Sequence, residues 1–311
     1  MSEARHRGQS AERLAQGTRG RLLVTGATGF LGRALLRRAP AWGLDPVAVS
    51  RETVDQRNPD DLAACLKDTR PYYAIDAAGI VPGRGDVAAN LALTQSWIAA
   101  LDRLRAAPRL VLVGSAAIYG AGAAPDRATR EEDPKRPLSD YGRAKLAALE
   151  CGRAAHRDSG HDIQTGIVFN LMGAGQPGHL APQVFVQKAL AARGGGFEVG
   201  RVDAVRDFLD VEDAADALIA MALHGQPGEA LNVASGRPTR ISDLLDAITA
   251  RLGGTWASAA QTGDGPGSDI CYGDPARLIA RTRWRPRHDF DAALARAIAA
   301  AKADWEAQAR T

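Results

Sequence analysis

Tyr141 and Lys145 stand four residues apart in YGRAK, inside a run with helical character, so their side chains share one face. A free phenol has a pKa of about 10 and is a poor acid or base at neutral pH. A nearby ammonium favours the phenolate and lowers that pKa. Ser115 follows the apolar run RLVLVG, Arg109 to Gly114, which reads as a strand. The carboxyl ends of strands are where open α/β sheets place their ligands. A serine hydroxyl there donates a hydrogen bond to a carbonyl oxygen as that oxygen gains negative charge. The three residues together describe a site that moves a proton on or off a substrate oxygen while hydride moves at the adjacent carbon. Singly they carry little weight: Y-x-x-x-K arises by chance, and a serine after a strand is often a turn residue.

A glycine loop gives them weight. GATGFLG, Gly26 to Gly32, follows the apolar run Leu22-Leu23-Val24 and opens a helical run from Phe30 to Ala39. Strand, glycine turn and helix start together are the context of a dinucleotide site. Gly26 turns the chain off the strand. Gly29 lets the backbone approach a pyrophosphate at the helix N-terminus, where free N–H groups and a partial positive charge lie. Gly32 lets the helix lie close to the sheet. The second strand ends in Val49-Ser50-Arg51. Ser50 and Arg51 suit the 2′-phosphate of NADP better than the ribose hydroxyls of NAD, although Glu52 follows and NAD remains possible.

The elements that must position this chemistry alternate. Strands are expected at Arg21 to Thr25, Pro46 to Ser50, Val54-Asp55, Tyr72 to Asp76, Arg109 to Gly114 and Ile163 to Phe169. Helices are expected between them; one is capped by Asn58 with Pro59 at its first position. Strands apolar on both faces argue an α/β fold with a doubly wound parallel sheet. After Asn170 the rhythm changes to shorter, glycine-rich elements. The expected organisation is a disordered tail over 1–20, a dinucleotide-binding domain over 21–168 and a mainly substrate-binding domain over 169–311. A segment of the latter, about 203–227, is expected to return to the cofactor domain.

Composition excludes several classes. Net charge is +3 over 311 residues with scattered arginines, which gives no case for nucleic acid. There is no apolar run of membrane-spanning length and no secretory signal. Cys65, Cys151 and Cys271 are far apart and show no metal spacing, so free thiols in a reducing, cytoplasmic compartment are expected.

With these residues in hand, the chain from Arg21 to about Ala300 resembles the extended short-chain dehydrogenase/reductases, the NAD-dependent epimerase/dehydratase family. GATGFLG, GSAAIYG (Gly114 to Gly120) and YGRAK are similar to that family's three main segments. The second half, including FNLMGAGQPG and VGRVDAVRDFLDVEDAADAL, resembles most the members that reduce GDP-4-keto-6-deoxy-D-mannose. The resemblance implies a cofactor site of Gly26, Thr28, Gly29, Phe30, Leu31, Gly32, Ser50 and Arg51. To these it adds Asp55 near adenine, Ala77, Ala78 and Gly79 beside the cofactor, Asn90, and Tyr141 and Lys145 themselves. It implies a substrate site of Ser115, Ala116, Tyr141, Asn170, Lys188, Arg206 and Arg277, the arginines suiting a diphosphate. Asp55 reads equally as a turn or cap acid before Asn58. The position two after Ser115 is Ala117, where related dehydratases hold a glutamate and GDP-fucose synthase-like epimerases a cysteine, so neither chemistry is expected.

The resemblance further implies a homodimer, paired through a four-helix bundle with Leu91, Ile98, Leu101, Leu146 and Leu149 as its apolar positions. The expected activity is reduction of a nucleotide-linked 4-keto-6-deoxy sugar, with Tyr141 giving the proton. A C4 epimerase with tightly bound NAD, and a non-catalytic dinucleotide-binding protein, are the alternatives.

Overall fold

The computed structural model describes residues 20–122, 126–259 and 270–308. The expected tail falls almost wholly outside them, and the glycine-rich stretch 263–268 wholly so. The first half runs β1 (Arg21–Thr25), α1 (Phe30–Arg38), β2 (Asp45–Val49), α2 (Pro59–Thr69), β3 (Tyr73–Asp76), α3 (Ala89–Asp102), β4 (Arg109–Ser115), α4 (Asp140–Ser159) and β5 (Ile163–Val168). The second half runs β6 (Asn170–Met172), α5 (Ala181–Ala192), β7 (Gly196–Val199), β8 (Val205–Arg206), β9 (Phe208–Asp210), α6 (Val211–His224), β10 (Ala230–Val233), β11 (Thr239–Arg240), α7 (Ile241–Leu252), β12 (Thr255–Ser258), β13 (Ile270–Cys271), α8 (Ala276–Thr282) and α9 (Phe290–Gln308).

Six strands form one parallel sheet in the order β10-β5-β4-β3-β1-β2. Alternation along each strand sends side chains to opposite faces. Leu22 and Val24 of β1 join one core with Leu35 of α1 and Leu218 of α6. Leu23 between them joins a second core with Leu62 and Leu66 of α2 and Trp97 and Leu101 of α3. The sheet is therefore covered on both faces, which is why its strands read as continuous apolar runs. The chain order reverses at β1, whose neighbours are β2 and β3, so a ligand crevice opens past the carboxyl ends of β1 and β3.

A third core gathers Met172, Val186, Phe208, Ile241, Leu244, Leu245, Leu294 and Ile298, from β6, β9, α5, α7 and α9. The expected division at 169 is crossed more often than the sequence suggests. Besides α6, both β10 and Leu278 of α8 pack with the main sheet. The cause is burial: Leu231 and Val233 complete the sheet face that α6 covers.

Val54-Asp55 is not a strand. Thr53 and Val54 both donate N–H to the Ser50 carbonyl, closing a turn instead. Asn58 caps α2 through its side chain, accepting from the Asp60 N–H, with Pro59 in the first turn. No helix among the described residues is long and apolar enough to cross a membrane.

Candidate active site

Ser115 is the last residue of β4, and its hydroxyl accepts from the Ala117 N–H at 3.2 Å, starting a short 3-10 turn over Ala116–Tyr119. Tyr141 is the second residue of α4. That helix starts where it does because the Ser139 side chain accepts from the Gly142 N–H at 3.1 Å, with Asp140 in its first turn. Gly142 decides how near the two come. A Cβ there would sit 2.6 Å from the Ala117 carbonyl oxygen, so glycine lets α4 press against the turn after Ser115. That contact brings the Ser115 hydroxyl to the side of the Tyr141 phenol.

Burial pushes the Tyr141 pKa above its ordinary value, and the Ser115 hydroxyl only partly offsets it. Lys145 is not among the groups that lower it here. Lys145 is buried and donates from Nζ to the Val113 carbonyl at 3.0 Å. Burial lowers its own pKa, while the charge of Asp76 raises it. Asp76, at the end of β3, is buried, accepts from Thr25 Oγ1 at 2.5 Å and from the Ala78 N–H at 3.3 Å, and is pushed up by burial. The lysine's charge is thus directed at β3 and β4, and Tyr141 keeps its proton: an acid in waiting.

The glycine turn lies at the crevice. Gly26 has φ +63°, and a Cβ on it would meet the Ala77 carbonyl oxygen at 2.6 Å. On Gly32 a Cβ would lie 2.0 Å from the Gly26 carbonyl oxygen, so this glycine serves helix-to-turn packing. Gly29 differs: only the Gly26 oxygen, at 3.1 Å, is near its Cβ position. Gly29 is the N-cap of α1 and supplies no side chain, and the first turn has no acidic residue. The helix end keeps N–H groups and its positive pole for an anion, which fits the pyrophosphate of a dinucleotide. Thr28 is exposed beside it, and Phe30 and Leu31 pack half-buried onto the sheet core.

Ser50 is half-buried, its hydroxyl accepting from the Glu52 N–H at 3.2 Å, and Arg51 is exposed. Asp55 accepts from the N–H and Nε of Arg57, which hold its carboxyl below the usual range, so its visible role is in the turn. Asn90 is buried and spans the loop after Gly79: its Oδ1 accepts from the Ile80 N–H, and its Nδ2 donates to the Ile80 and Val87 carbonyls. It holds the Ala77–Ile80 loop in place.

Tyr141 and Ser115 open into a cavity of about 360 Å³, which Ala116, Asn170 and Arg206 also line. Among the described residues around it there is no carboxylate and no histidine; Ala117, Leu138 and Cys271 complete part of the lining. This arrangement offers one protonated donor, one hydroxyl to align an oxygen and one guanidinium for an anion.

Residues 22–234 match the NAD dependent epimerase/dehydratase family. The chain belongs to that family. It is an NAD(P)-dependent oxidoreductase, and the relatives it matches act on sugar nucleotides. It is 30% identical over 300 residues to dTDP-6-deoxy-L-talose 4-dehydrogenase (NAD(P)(+)) of Kitasatospora kifunensis, covering 88% of this chain and 93% of the relative. It is 27% identical over 312 residues to GDP-6-deoxy-D-mannose reductase of Pseudomonas aeruginosa, covering 93% and 98%. The structure of RMD from Pseudomonas aeruginosa complexed with NADPH superposes with a TM-score of 0.79 at 27% identity, over 93% of this chain and 98% of that one.

Two residues that the family resemblance placed at the substrate do not line the cavity. Lys188, on α5, is exposed and donates to the Glu198 carbonyl at 2.7 Å, which ties α5 to β7. Arg277, on α8, stands 3.8 Å from Glu229 and 3.9 Å from Glu132, the surface ion-pair role. Sequence reasoning also missed Asp76, Thr25, Gly142 and Cys271. The Thr25–Asp76 pairing follows only from strand register, where the two stand side by side.

Proposed function

We propose that this enzyme reduces the 4-keto group of a nucleotide-activated 4-keto-6-deoxy sugar, with NADPH as its reductant. The observation that carries the reading is the Ser115–Tyr141 pair at the mouth of the cavity, with a phenol that burial keeps protonated and no carboxylate or histidine among the described lining residues. Bound NADPH supplies the hydride for C4. Ser115 donates to the C4 oxygen and orients it; Tyr141 passes its proton to that oxygen as negative charge builds there. Lys145 lies beside Gly79, where a Cβ would be 3.4 Å from its Nζ, and is the group that holds the cofactor ribose. Arg206 binds the substrate diphosphate through its planar fork, and Asn170 borders the sugar. Without a carboxylate at the Ala117 position, elimination toward C6 lacks its base.

Both similar enzymes carry a 4-position activity on a 6-deoxy sugar in their names, one dTDP-linked and one GDP-linked. GDP is the base favoured by the second-half resemblance. NADPH is favoured over NADH by Ser50 and Arg51. We propose further that the protein is a cytoplasmic homodimer joined through α3 and α4. The free thiols of Cys65, Cys151 and Cys271 agree with a reducing compartment. Leu101 and Leu149 are 1% exposed and belong to the core, so Leu91, Ile98 and Leu146 are the half-exposed positions of the proposed face.

The test is a nicotinamide absorbance assay with enzymatically generated GDP- and dTDP-4-keto-6-deoxy sugars, NADPH against NADH, and Tyr141→Phe as control. NADPH oxidation that is lost in the variant supports the reading. Interconversion of an ordinary nucleotide sugar with its C4 epimer, without net oxidation, replaces it with a C4 epimerase. Cofactor binding without turnover of any of these sugars leaves the reading without support.

A further inference from the structure

Asp207 lies between Arg206 and Phe208 and has no solvent exposure. Its Oδ1 accepts from the Ser235 N–H at 2.8 Å, and its Oδ2 accepts from the Gly236 N–H at 3.0 Å and the Gly273 N–H at 3.3 Å. Its own backbone carbonyl accepts from Asn170 Nδ2 at 3.0 Å. One residue therefore gathers the loop after β10, the loop after β13 and the start of β6.

Two of those segments, with the residue before Asp207, carry part of the cavity wall. Arg206 precedes Asp207, Cys271 stands two residues before Gly273, and Asn170 bonds Asp207 directly; all three line the cavity. Gly273 is pinned from its other side by Phe169, another lining residue, whose ring carbon would be 2.6 Å from a Cβ there. Gly236 has φ +80°, a backbone shape that turns its N–H inward and favours glycine. Burial raises the Asp207 pKa to about 6 against the pull of these donors, so it is ionised at neutral pH and its bonds are charge-assisted. A carboxylate suits the place because it only accepts. Asparagine would bring an NH₂ against N–H groups that have no other acceptor there.

We infer that Asp207 is a positioning residue that sets the substrate wall of the site, holding Arg206 and Asn170 at the spacing a nucleotide sugar needs. The clamp stands on its own geometry; its effect on the sugar substrate rests on the functional reading above.

The experiment compares wild type with Asp207→Asn, by steady-state kinetics and by amide hydrogen exchange. In wild type, the Ser235, Gly236 and Gly273 amides are expected to exchange far more slowly than neighbouring loop amides. Asp207→Asn should raise KM for the 4-keto sugar nucleotide by about tenfold, the worth of one charge-assisted hydrogen bond, with KM for NADPH and kcat within about threefold. It should also release those three amides while the central sheet stays protected. The wild-type amide exchange serves if Asp207→Asn does not fold. A purely structural role would lower kcat with the loss of active protein and leave KM in place, and that result overturns the inference. Unprotected amides in wild type overturn it as well, whatever the substrate proves to be. If no nucleotide sugar is turned over, the functional reading fails while the amide exchange still decides the clamp.

Discussion

Thr25 at the end of β1 donates from Oγ1 to Asp76 Oδ1 at the end of β3, at 2.5 Å, across the point where the sheet order reverses. Both residues are buried, and the aspartate faces Lys145. Thr25→Val keeps the shape and removes the donor. It should destabilise the protein by about 1–3 kcal/mol, because a buried carboxyl oxygen loses its shortest partner. Urea unfolding measures this. A change under a few tenths of a kcal/mol would show that the Ala78 N–H alone satisfies Asp76.

Tyr141 should act as the acid of the reduction. Tyr141→Phe is expected to lower kcat by about a hundredfold or more with KM for NADPH unchanged. Since burial raises the phenol pKa above 10, the proton is retained through neutral and mildly alkaline pH. The reductive rate should therefore stay flat with respect to this group and fall only as pH passes above that value. The reverse oxidation, which needs the phenolate, should rise over the same range. A reductive rate that falls between pH 7 and about 9 through a single ionisation absent in Tyr141→Phe would mean that bound cofactor lowers the pKa after all.

Gly29 and Gly32 should separate ligand from packing. Gly32→Ala places a methyl 2.0 Å from the Gly26 carbonyl oxygen and should cost about 3 kcal/mol or fail to fold. Gly29→Ala meets only one oxygen, at 3.1 Å, and should keep most of the stability. Its loss should appear in NADPH binding, weakened by about tenfold in a fluorescence titration, because the methyl takes the place of the approaching pyrophosphate. Equal NADPH affinity in Gly29→Ala and wild type would move the pyrophosphate elsewhere.

Arg51 is exposed at the end of the strand that precedes the ribose site. Arg51→Ala should raise KM for NADPH by about tenfold and leave KM for NADH within about twofold, since only the 2′-phosphate needs the guanidinium. Equal effects on both cofactors would point to a general electrostatic role.

Sedimentation of the wild-type protein over a concentration series checks the assembly. A dimer of the 32.8 kDa chain is expected, and Leu91→Glu should shift it toward monomer. A monomer at every concentration removes the proposal.

Much of the fold could be read directly from the chain. Apolar strand runs, the Asn58-Pro59 start of α2 and the GATGFLG turn are local patterns, and local physics determines them: alternation, capping, and the absence of a Cβ where helix and turn meet. The nearness of Ser115 to Tyr141 was legible too, because segment order and strand ends imply it. Tertiary structure decided what depends on groups distant in sequence. Lys145 turns to Val113 and faces Asp76 because three strand ends converge there, and no spacing in YGRAK shows it. Lys188 and Arg277, which the family resemblance sets at the substrate, lie outside the cavity lining, beside the Glu198 carbonyl and the Glu132 and Glu229 carboxylates. The division near residue 169 blurred because β10 and α6 bury their apolar faces on the first sheet. Asp207 joined the site only when two loops, 28 and 66 residues further along, brought their N–H groups to one buried carboxylate. Sequence determines which side chains are available for chemistry; the cost of leaving charge and backbone polar groups unpaired in the interior determines where they point.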